Sequence, residues 1–155
     1  MHQNLFPPLS LNLLVTLLSA IIYLTIFLQA AFVTLKRKIP FQKIVLSATL
    51  LAIILFPLRS IIRPPYQMFI NIFFIIITIW VTEKNIKLGE AIIIVVLIQM
   101  MVIIGSIGIS LPFLKDHFEF LLKNPYGFAL GILIETVPIA AWLIVVYLRR
   151  NLIKR

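Results

Sequence analysis

The sequence predicts an all-α integral membrane protein: a bundle of about five transmembrane helices, N-terminus outside and C-terminus cytoplasmic. Three observations carry that reading. Hydrophobic residues make up 62% and charged residues 12% of the 155-residue chain, and the mean hydropathy is +1.13, which leaves too little polar surface to cover a water-facing domain. The apolar residues fall into runs near the length of about 20 residues that a bilayer crossing needs, so five runs and their connections use up residues 1–155 as a single transmembrane domain. The Lys and Arg residues lie beside those runs and favour alternate connections, as topology signals do.

The first run, 9–35, follows Pro7 and Pro8 and stops at Lys36, Arg37 and Lys38. It is too long for a signal-peptide core and has no basic residue ahead of it, so it reads as a retained helix. Its polar side chains, Asn12, Thr16, Ser19, Thr25 and Gln29, read as packing groups that bond locally or to a neighbouring helix. The second helix, 41–62, is about 33 Å long, with Lys43 and Arg59 reaching out from its ends. Pro64 and Pro65 break it from the third, 66–81, which at about 24 Å is short for a span. Folding these two back as a re-entrant hairpin would draw Arg59 and Arg63 into hydrocarbon at a few kcal/mol each, so two spans are expected.

Trp80 marks an interface ahead of the TEKNIKLGE loop and the fourth helix, 91–111. That helix has Gln99 near its middle and the small residues Gly105, Ser106 and Gly108 in its outer half, where a neighbouring backbone can come close. Residues 112–125 place Leu114, Phe118, Leu121 and Leu122 at helical spacing, with charged residues and His117 elsewhere, the pattern of an amphipathic helix lying in the interface. The fifth helix, 126–148, ends on Arg149 and Arg150. With the N-terminus outside, ten Lys and Arg fall on the cytoplasmic side and four on the other. The net charge of +9 is therefore explained by topology and by contact with the anionic surface of a lipid bilayer, and no nucleic-acid partner is expected.

The last helix is where the sequence concentrates unusual residues. Gly127, Gly131 and Glu135 recur at every fourth position and line one stripe, and Pro138 lies just beyond it, where it can act as a hinge. An acid at the bilayer centre costs about 2.5 to 3.5 kcal/mol on insertion scales, so Glu135 has two readings. It is a proton, cation or ligand site together with Gln99, or it is a protonated carboxyl that joins helices. The Gly127 to Gly131 step serves packing within the chain or a homo-oligomer contact. The two histidines and the absence of cysteine leave no metal site, no cofactor site and no thiol chemistry, and no phosphate loop or paired catalytic carboxylates occur, so the chain reads as a non-enzyme.

A proline-broken pair of spans, the EKNIKLGEAI loop, a long fourth helix, an outer segment ending in LLKNPYGFALGILIE and a last helix closing on VYLRRNLIKR together resemble a known layout. It is that of the membrane sensor region of GHKL-type histidine kinases, including the peptide-sensing kinases of accessory-gene-regulator type. In those kinases the last helix continues into a phosphoacceptor helix and an ATP-binding domain, and this sequence contains neither. The resemblance implies a free-standing sensor module in a bacterial cytoplasmic membrane, acting on a separate kinase or another membrane partner. The expected function is a sensor-like or regulatory subunit that meets its signal at the external segment around His117 and Phe118. The alternative is a small-solute transport component, such as the substrate-binding membrane subunit of an importer, whose site would lie near the bilayer midplane around Glu135 and Gln99.

Overall fold

The computed structural model of the protein describes residues 9–62, 66–109, 131 and 134–153, and the regular structure among them is entirely helical. Five helices follow in order: α1 (Leu9–Thr34), α2 (Phe41–Ile61), α3 (Tyr66–Thr82), α4 (Leu88–Ile109) and α5 (Val137–Ile153). Among the described residues two segments are long and apolar enough to cross a membrane, Leu13–Thr34 in α1 and Phe41–Leu58 in α2, and Tyr66–Thr82 and Leu88–Ile104 are shorter apolar helical stretches.

Each boundary has a local cause. α1 ends where Lys36 turns into the left-handed region at φ 56°, with its N–H bonded to Val33 O at 3.1 Å and the N–H of Arg37 reaching back to Phe32 O at 2.9 Å. That pair of bonds is the Schellman arrangement, which satisfies carbonyls the last turn would leave open. Pro40, at φ −57°, then starts α2, and its carbonyl accepts from Ile44 N at 3.2 Å. Pro57 lies inside α2, where it removes one rung of the hydrogen-bond ladder. The α3–α4 connection is tight: Ile86 N bonds to Glu83 O at 3.1 Å, and the Ile86 side chain is buried beneath the turn. Glu90 occupies the first turn of α4, where a negative charge suits the helix dipole.

Consecutive helices pack against one another around a closed circuit, α1 to α2 to α3 to α4 to α5 and back to α1. α1 also touches α3 and α4, so it meets all four of the others and forms the axis of the bundle. Its second half is the most enclosed part of the described chain: Phe27, Leu28, Ala30 and Ala31 are fully buried and Phe32 nearly so. Around this centre stand Ile44, Ala48 and Leu51 of α2, Ile75 and Ile79 of α3, Ala91, Val95 and Ile98 of α4, and Ile139 of α5.

The outer surface is also apolar. Leu46, Leu50 and Ile53 on α2, Phe69 and Phe73 on α3, Ile93, Leu97 and Ile104 on α4, and Ile144 and Leu148 on α5 all point outward. Most soluble domains place charge in such positions.

Candidate functional site

The helices alternate in direction, so α1, α3 and α5 finish at the end where α2 and α4 begin. Side chains tie that end together. The Arg37 guanidinium donates to Asn85 O at 3.1 Å, linking the first and third connections. The Lys43 ammonium donates to Thr82 O at 2.5 Å, and Ser47 and Thr82 share a hydroxyl bond at 3.1 Å, holding α2 to the end of α3. Among the described residues this end gathers Lys36, Arg37, Lys38, Lys43, Lys84, Lys87, Arg149 and Arg150 against the acids Glu83 and Glu90. The result is a strongly basic cap on an apolar bundle.

α5 joins the cap through three polar bonds to α1. Trp142 Nε1 donates to Thr34 Oγ1 at 3.0 Å, and that hydroxyl donates in turn to Ala30 O at 2.7 Å. Arg150 donates to Val33 O at 2.7 Å, a second donor on the carbonyl that Lys36 N–H already serves in the final turn of α1. Gln29 Nε2 donates to Tyr147 Oη at 3.3 Å, and Gln29 Oε1 is buried without a partner.

At its other end α5 begins abruptly. Ile134 and Glu135 are helical, Thr136 is a turn, and α5 starts at Val137 with Pro138 second. Pro138 has no N–H to give, and the first turn is where its absence does least harm. The ladder resumes with Ala140 N on Thr136 O at 2.9 Å. Within the 126–148 helix expected from sequence, the described part thus contains a break at Thr136, and α5 runs on to Ile153.

Of the candidate residues, Glu135 is half-buried and engaged with a neighbour, and Gln99 is half-buried on α4, the helix that packs beside α5. Gly131 is helical. Gly105, Ser106 and Gly108 lie in the last part of α4. Gly127, His117, Phe118 and the 112–125 segment lie outside the described residues. No group of three or more metal-ligating side chains occurs among the described residues.

Sequence reading passed over Thr34, Trp142, Tyr147 and the open oxygen of Gln29. The available signal was the position of Gln29 and Thr34 close to the end of an otherwise apolar run, facing a helix with an aromatic N–H and a phenol. Ser19, Thr49 and Thr78 instead bond to carbonyls four residues back on their own helices. No family model, curated protein or solved structure matches this chain.

Proposed function

We propose that the protein is a multi-pass membrane protein of the bacterial cytoplasmic membrane and works there as a non-enzymatic, sensor-like regulatory subunit. The apolar outer surface supports the membrane location, because large aliphatic side chains stand exposed on every side and a bilayer is the solvent that suits them. The basic cap then faces the cytoplasm.

The observation that carries the regulatory reading is the construction of α5. It is broken from the preceding segment at Thr136 and Pro138, and its far half is clasped to α1 by Trp142, Tyr147 and Arg150. A signal at the external segment tilts α5 about Pro138, and the motion arrives at the basic cap as a changed fit of Arg149 and Arg150. The signal shifts the helix only by binding its two positions unequally. A kinase or another membrane protein reads the cap.

The test is purification of the tagged protein from its native membrane in mild detergent, followed by mass spectrometry of what accompanies it. Recovery of a kinase or response regulator is expected. Recovery of ATPase subunits would favour the transport reading, with Glu135 and Gln99 at its site. In the regulatory reading Pro138→Ala blunts the response, and a full response in that variant would remove the lever.

A further inference from the structure

Within the basic cap, the corner where the α3–α4 turn meets the end of α1 has a construction of its own. Arg37 is half-buried there, and its guanidinium donates to Asn85 O at 3.1 Å. The other N–H groups of that fork have no partner among the described residues and are accessible. Lys84 and Lys87 lie on either side of Asn85 in the sequence and are exposed. Three cations from two connections are thus gathered at one turn, and their mutual repulsion is relieved by an anion. The acids nearest in sequence, Glu83 and Glu90, do not supply it: among the described residues no carboxylate pairs with any of the three.

The side chains around the turn point to what carries that anion. Trp80 and Val81 at the end of α3 and Leu88 at the start of α4 stand exposed beside the cations. Inorganic phosphate uses the charge and leaves those side chains uncovered. A zwitterionic lipid covers them, but its phosphate already has an ammonium of its own. An anionic phospholipid meets both conditions, because paired phosphate oxygens match a guanidinium fork and basic pockets between helices at the cytoplasmic face suit such headgroups. We propose that the α3–α4 corner binds an anionic phospholipid, its headgroup phosphate on Arg37 between Lys84 and Lys87 and its acyl chains along Trp80, Val81 and Leu88. The proposal rests on the membrane location argued above, and it assigns a defined site where a basic cap alone exerts only a diffuse attraction.

Native mass spectrometry of the intact protein in mild detergent tests the site. Dioleoylphosphatidylglycerol and dioleoylphosphatidylcholine, which share their chains, are titrated separately. The first phosphatidylglycerol should bind about tenfold more tightly than the first phosphatidylcholine, the value of one charge-assisted hydrogen bond. Arg37→Gln, which keeps a donor for Asn85 O, should abolish that preference. Lys84→Gln combined with Lys87→Gln changes two exposed side chains, leaves the Arg37 bond in place and should lower the preference as well. Arg149→Gln removes the same charge from exposed α5 and should retain it. Equal binding of the two lipids, or equal loss in Arg37→Gln and Arg149→Gln, overturns the site and leaves the membrane location standing. Displacement of phosphatidylglycerol by an equal concentration of inorganic phosphate overturns it too, by assigning the corner to a soluble anion. Retention of neither lipid overturns both the site and the membrane location.

Discussion

The second half of α1 and the whole of α5 are held in place by different forces. Between Phe27 and Phe32, every α1 side chain except Gln29 is buried. Among the described residues of α5 only Ile139 is buried, and the helix is fastened instead by Trp142, Tyr147 and Arg150. In the membrane location proposed above this difference would be amplified. Lipid tails are as apolar as Leu, so partial burial adds little, and association depends on close packing and on interhelical hydrogen bonds. α1 has the first and α5 mainly the second, which makes α1 the fixed axis and α5 the element that the proposed regulation would move.

The largest break in the comparison should come from α1. Phe27→Ala opens a cavity at a fully buried position and is expected to cost about 3 to 5 kcal/mol, read as a lowered unfolding midpoint in detergent or nanodiscs. A change under about 1 kcal/mol would mean that α1 is not the axis. Next comes a substitution on the outside. Leu97 points away from the bundle near the middle of α4, and Leu97→Lys should lower membrane insertion by about 3 to 4 kcal/mol, measured as the inserted fraction in a glycosylation assay. On a water-facing surface the same change would fall within about 0.5 kcal/mol. The substitution therefore tests the solvent as well as the helix.

The helical character of the described residues and the five helices among them were legible because runs of Ile, Leu, Val and Phe between Pro and Lys/Arg clusters admit little else. Helix ends were less so. Hydropathy stops counting at the edge of a run, whereas the helix continues as long as residues tolerate it, so α4 begins at Leu88 and takes in Glu90, and α5 carries Arg149 and Arg150. The centre of the bundle was not legible. Sequence reasoning put weight on the last helix for its Gly, Glu and Pro, but which of several apolar helices is enclosed depends on packing, and α1 has no pronounced apolar face to announce it. The clasp was hidden for a related reason: nothing marks Thr34, Trp142 or Tyr147 singly, and only their juxtaposition makes a fastening.

The clasp itself supplies the next test. Arg150 is half-exposed, so its charged bond to Val33 O should contribute at the lower end of its class, and Arg150→Met is expected to cost about 1 to 2 kcal/mol. Arg149→Met is the control, because Arg149 is exposed and should shift the midpoint by less than about 0.5 kcal/mol. Amide exchange should rise along α5 in the first variant and leave α1 unchanged. Equal effects from both arginines would mean that charge at the cap matters and the bond does not.

The smallest effect is also the one of opposite sign. Lys36 sits at φ 56°, a conformation a side chain with Cβ tolerates poorly and glycine accepts. The Val33 carbonyl there accepts from both Lys36 N and Arg150, so the α1 terminus and the α5 clasp share an atom. Lys36→Gly keeps the N–H and relieves the strain, and should stabilise by about 0.5 to 1 kcal/mol. Lys36→Pro removes that N–H and forbids the positive φ, and should loosen the α1 terminus and α5 together. Two variants at one exposed position, moving stability in opposite directions, would place the fastening of α5 in the backbone of the α1 terminus. A loss of stability in Lys36→Gly would instead assign it to the lysine side chain, and the two helices would then be joined at the cap by charge.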